Sequence, residues 1–157
     1  MLTMRGALGV AVLLMTPTFG GLGCDRNPRS VPIRIGQTIE GRLESGDWTD
    51  VFADGSYTDL FEVTIGAGQG ITVEMSSTEL DTYISLLRGP GDQLVDNDDI
   101  SPEDRNSRFT YAPQTAGTYF IAATSFRSGA TGAYTLRVTP SDSRTGVESD
   151  KTSDKTR

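Results

Sequence analysis

Apolar residues in this chain fall on every second position over much of its middle. Phe61, Val63 and Ile65 alternate with polar neighbours, and so do Ile71, Val73 and Met75. Tyr119, Ile121 and Ala123 share one face of a run, and Tyr134, Leu136 and Val138 share another. A two-residue period puts one side of an extended strand in a core and the other in water. Turn-forming stretches separate the runs: "GAGQG" (66–70), "RGPGDQ" (88–93), "PQTAG" (113–117) and "RSGATG" (127–132). No segment carries a 3.6-residue apolar stripe. The pattern predicts an all-β domain over residues 31–139, with about seven or eight short strands in two packed antiparallel sheets.

The ends read differently. Residues 1–24 hold one charge, Arg5, then an apolar run from Ala7 to Met15, then small residues up to Cys24. That order matches a secretory signal, and the run is too short to span a bilayer core, which takes about 20 residues. Cys24 is the only cysteine, so no intrachain disulfide can form. "GLGC" resembles a bacterial lipobox, although Gly21 stands where Leu is usual and Leu22 lies one place later. The expectation is lipidation at Cys24, with acyl chains holding an exported protein at a membrane of the cell envelope. Residues 25–30 read as a polar tether. Residues 140–157 contain one Val, no aromatic residue and Ser-Asp-Lys-Thr twice in succession, a composition too polar to offset its ordering entropy.

Charge narrows the partners. The whole chain carries −7, but residues 31–139 hold seven arginines against sixteen acids, a net −9. Such a surface repels phosphate backbones, so nucleic acid is not an expected partner, and cations are. The densest stretch is "LVDNDDISPED", where Asp96, Asp98, Asp99, Glu103 and Asp104 stand with no Lys or Arg among them. Crowded carboxylates invite a neutralising cation, and calcium takes six to eight oxygen ligands of this kind. The candidate metal set is Asp81, Asp96, Asp98 and Asp99, with Asp59 and Asn97 as additions. It is not an EF-hand, because Ile100 occupies a ligand position and the glycine is missing. The competing reading is that Asp and Asn here form turns by bonding their own backbone.

Catalysis finds little material. The chain has no His, and residues 31–139 have neither Lys nor Cys. Paired acids, as in a hydrolase, are the one remaining enzymatic arrangement. No catalytic residue is assigned. Trp48, the only tryptophan, is expected to close the core, with anchoring of a partner as the alternative.

Several segments, in order, resemble the bacterial pre-peptidase C-terminal domain. They are "GRLESGD", "GSYTDLFEVTIGAGQGITVEM", "LDTYISLLRGPGDQLVDNDD" and "NSRFTYAPQTAGTYFIAATSFRSGATGAYTLRV". The resemblance runs from Gly41 to Val138 and implies a jelly-roll-like β-sandwich, usually appended to secreted peptidases and akin to modules that bind calcium and matrix. No peptidase segment precedes the domain in this sequence. The expected function is therefore a non-catalytic envelope module that binds a protein or an extracellular polymer. The alternative is an accessory or chaperone-like partner of a separate secreted peptidase.

Overall fold

The computed structural model describes residues 30–49 and 54–141. The expected signal, Cys24, most of the tether and nearly all of the C-terminal tail lie outside these residues. Among the described residues nine strands form: β1 (Val31–Pro32), β2 (Thr38–Leu43), β3 (Thr58–Ile65), β4 (Gly70–Ser76), β5 (Thr82–Gly89), β6 (Asp92–Asn97), β7 (Ser107–Tyr111), β8 (Gly117–Ser125) and β9 (Gly132–Ser141). They make one sheet in the order β1-β3-β8-β5-β6 and another in the order β2-β9-β4-β7.

The eight strands after β1 are one long antiparallel hairpin, rolled up. Its tip is the β5–β6 turn, where Gly91 takes a positive φ of 74° that other residues reach only with strain. Moving outward from the tip, β4 pairs with β7, β3 with β8, and β2 with β9. Two further pairings, β4–β9 and β5–β8, close the roll into facing sheets. This is jelly-roll connectivity.

Alternation places the core as the sequence predicts. Phe61, Val63, Ile65, Ile71, Val73, Met75, Tyr119, Ile121, Ala123, Tyr134, Leu136 and Val138 are all buried. Burial of each large apolar side chain contributes about 1.5–3 kcal/mol, which makes this interleaved layer the main stabilising term.

Three contacts explain residues that periodicity leaves unexplained. Gly41 lies directly across from Tyr134 in the β2–β9 pair, and a Cβ at Gly41 would run into the tyrosine ring. Gly132 leaves room for Leu80 and Glu79, so the β4–β5 loop can fold over the start of β9. The Tyr119 hydroxyl donates to the Thr115 carbonyl at 2.7 Å, pinning the turn that enters β8.

Some expectations need correction. The strand count exceeds seven or eight because β1 is a two-residue parallel pair containing Pro32, too short to show a period. The last strand runs through Ser141, past the expected boundary at 139. Trp48 does not close the core. It is half-buried at the sheet margin, where its carbonyl accepts the Thr58 N–H at 2.9 Å, and it is not on an inward-facing row.

Candidate functional site at the acidic loop end

Rolling a hairpin sends alternate loops to opposite ends. The β2–β3, β4–β5, β6–β7 and β8–β9 connections gather at one end, near Thr58, Thr82, Ser107 and Gly132. The other four connections gather at the far end. The charge divides with them. At the first end stand Glu44, Asp47 and Asp54 from one loop, Glu79 and Asp81 from a second, and Asp98, Asp99, Glu103 and Asp104 from a third. Arg105 and Arg127 are the basic residues in those described loops. The loops at the far end contain no acid among the described residues, and one arginine, Arg34. The net charge of the domain is therefore concentrated at one pole.

A shallow groove of about 410 Å³ opens at this pole, between the β4–β5, β6–β7 and β8–β9 loops. Glu79, Asp81, Glu103, Asp104, Arg105 and Arg127 line it. Arg105 approaches Asp81 at 3.9 Å, and Arg127 is exposed. Sequence reasoning missed this groove because its walls come from three separate loops. Only the nesting of the hairpin brings them together.

At the mouth between the sheets sits Asp59. It continues the inward row of Phe61, Val63 and Ile65, but as a half-buried carboxylate. The Tyr134 hydroxyl, from the opposite sheet, donates to its Oδ2 at 2.5 Å. Burial pushes the Asp59 carboxyl above its ordinary value of 3.8; the Tyr134 hydrogen bond opposes that rise, while nearby Asp47 and Glu44 add to it. The same burial, and then the carboxylate it faces, push the Tyr134 phenol upward.

The structure does not bring the expected metal set together. Asp96 projects from the outer face of β6 and accepts the Tyr83 hydroxyl at 2.7 Å. Burial and then Asp96 push that phenol up to about 12. Asp81 is held near Arg105. Asp98 Oδ1 accepts the N–H of Asp99, and the Asp98 carbonyl accepts the Ser107 hydroxyl at 3.0 Å. Asn97 Oδ1 accepts the Arg108 N–H at 2.9 Å, tying β6 to β7. Asp59 is engaged by Tyr134. Among the described residues, no group of three or more His, Cys, Asp or Glu is placed to hold a metal ion. In this arrangement the acids shape turns, and Asp104 does the same by accepting from both the backbone and side-chain N–H of Asn106.

Asp59 has a readable pH signature. Its folded carboxyl holds a proton more tightly than the unfolded chain does, so its contribution to stability falls as pH rises from 3.8 through the raised value. Tyr134→Phe removes the donor and is expected to cost about 1–3 kcal/mol at pH 7, with the cost shrinking as pH falls and the carboxyl takes up its proton. Asp59→Asn keeps an acceptor and removes the charge, so it should be at least as stable as the unmodified protein at pH 7. Urea unfolding across that pH range checks both, and a greater loss for Asp59→Asn than for Tyr134→Phe would contradict the arrangement.

Residues 57–125 match the sequence model of the bacterial pre-peptidase C-terminal domain. No relative is found among the curated proteins. Among solved structures, the fold is similar to the pre-peptidase C-terminal domain of collagenase from Bacillus anthracis, with a TM-score of 0.56 and 16% identity over 73% of this chain and 98% of that one. It is also similar to PliG of Aeromonas hydrophila, a periplasmic lysozyme inhibitor of g-type lysozyme, with a TM-score of 0.52 and 16% identity over 71% of this chain and 96% of that one. The matched segment starts beside Asp59 and ends with β8: residues 57–125 carry the sequence pattern of the bacterial pre-peptidase C-terminal domain, and the rolled hairpin around them completes a sandwich of similar fold.

Proposed function

We propose that this chain is an exported, non-catalytic binding module that presents its acidic loop end to a cationic protein surface. The observation that carries this reading is the division of charge, with nine acids in the loops of one pole and none in the described loops of the other. A concentrated field of one sign steers an oppositely charged partner and orients it on approach. The groove at that pole offers Arg105 and Arg127 beside the acids, so a partner with a mixed, mainly basic patch fits it.

Two observations support a binding role over an enzymatic one. The sequence has no histidine, and Asp47, Asp54, Asp81, Asp98 and Asp104 of the loop end are engaged by their own turns or by Arg105, as Asp59 and Asp96 on the strands are by Tyr134 and Tyr83. The solved neighbour that inhibits a lysozyme indicates that this architecture can serve protein recognition. The signal-like N-terminus and Cys24 support export and lipid anchoring in the cell envelope. The family of the domain keeps a second reading open: the cationic partner is a separate secreted peptidase, which the module accompanies.

Calcium at Asp81, Asp96, Asp98 and Asp99 requires Asp81 to leave Arg105 and Asp96 to leave Tyr83. The arrangement predicts equal melting temperatures in millimolar calcium and in magnesium at matched ionic strength. A calcium-specific rise, lost in Asp98→Asn, would show that the loops regroup around the ion.

For the proposed function, the purified protein is passed over immobilised basic and acidic proteins, a g-type lysozyme among the former. Retention by basic proteins is expected, falling steeply with salt. Glu79→Lys with Glu103→Lys should weaken it about tenfold or more while leaving melting within a few degrees. Retention that ignores both salt and these substitutions would contradict the reading.

A further inference from the structure

The margins of the two sheets are not equally protected. On one side, β6 and β7 are tied together, with Asn97 Oδ1 accepting the outward N–H of Arg108. The free margin of β3 is partly covered by β1 and by the bridge from Trp48 to Thr58. By contrast, β2 ends its sheet with no strand beyond it among the described residues.

Hydrogen-bond parity shows which groups β2 leaves outward. The N–H of Val138 donates to the Gln37 carbonyl, and the Val138 carbonyl accepts the Gly36 N–H. Pairing continues from Thr38 opposite Arg137 to Leu43 opposite Gly132. In an antiparallel ladder every second residue turns its main-chain groups to the neighbour. Ile39, Gly41 and Leu43 therefore bond to β9, while Thr38, Glu40 and Arg42 turn their N–H and carbonyl groups outward.

We propose that β2 pairs antiparallel with β2 of a second copy of this chain, around a two-fold axis through Gly41. The sequence of the strand is self-complementary about that point. Glu40 lies opposite Arg42 of the second copy, and Arg42 lies opposite its Glu40. Ile39 lies opposite Leu43. The residues whose main-chain groups point outward are the ones that carry the complementary charges, so backbone and side-chain pairing coincide. Gly41 falls at the axis, where opposed strands approach most closely and a residue without a side chain fits best. The ion pair of Arg42 with Glu79, at 3.4 Å between half-exposed side chains, is no obstacle, because an exposed pair of this kind exchanges partners at little cost. The two four-stranded sheets would then form one continuous sheet. Glu44, the first acid of the loop end, falls opposite Thr38 of the second copy, so the junction meets the margin of the acidic pole without setting acid against acid.

A contact one short strand long is small, so the association is expected to be weak, with a Kd in the range of about 1 µM to 1 mM. Sedimentation equilibrium of the full chain, over a series reaching about 1 mM, tests it. A monomer–dimer equilibrium is expected. Glu40→Arg and Arg42→Glu each place like charges opposite one another at two symmetric positions, and each should weaken the dimer about tenfold or more. The double swap, Glu40→Arg with Arg42→Glu, should restore it. Glu79→Gln removes the ion pair within the chain and should leave the dimer intact. A protein that stays monomeric throughout, or a dimer indifferent to the single changes and the swap, would overturn the proposal. In that outcome Glu40 and Arg42 serve only to keep an edge strand from pairing.

Discussion

One ring and one hydroxyl hold the acidic end of the sandwich together. Tyr134 reaches from β9 across the absent side chain of Gly41 and donates its hydroxyl to Asp59 on the facing sheet. The ring needs the space that only glycine leaves. The hydroxyl needs an acceptor at the sheet mouth, and the carboxylate needs a donor once it is half-buried. Each of the three residues satisfies a requirement created by another, so neither the glycine nor the tyrosine can change alone without cost, and position 59 must keep an acceptor. They also come from three separate sequence motifs, "GRL", "DLF" and "GAYTL". Their conjunction explains why these motifs occur in one chain: they meet in space.

Above this junction the rolled hairpin determines what the outside meets. Because the roll sends every second loop to the same pole, residues far apart in sequence become one surface, and their charges add. The carboxylate at the mouth experiences that field directly, since Asp47 and Glu44 contribute to the upward shift of Asp59. A polarised loop end on a rigid, fully packed scaffold is suited to recognition: the strands hold still, and the loops carry the contacts. The margin of β2, at the end of its sheet, lies apart from that recognition surface and offers main-chain groups flanked by Glu40 and Arg42.

The strands were largely legible in the sequence, because burial on one face writes a two-residue period that survives tertiary context. Phe61 to Ile65 and Tyr134 to Val138 are direct examples. β1 was not legible, since two residues show no period. Trp48 misled because size suggests a core position, whereas its segment runs along a margin. The acidic stretch was legible as a turn and not as a site. Asp98 and Asp104 bond backbone within two residues, which local chemistry predicts. Whether Asp81 and Asp96 converge depends on which face of β6 each approaches, and that is fixed by pairing with β5 and by Tyr83 and Arg105. The charge polarity could have been found by assigning loops to poles from a jelly-roll order, a step that needs the topology first.

The claim that Tyr134 and Gly41 fit one another is tested most directly by a double-mutant cycle on folding stability. Gly41→Ala in the otherwise unchanged protein is predicted to cost about 1–3 kcal/mol, because the added methyl must displace the ring. In a Tyr134→Leu background, where the far end of the ring is gone, the same change is predicted to cost under about 0.5 kcal/mol, a clear coupling between the sites. An equal cost in both backgrounds would contradict the account, and the junction would no longer explain why the three motifs occur together.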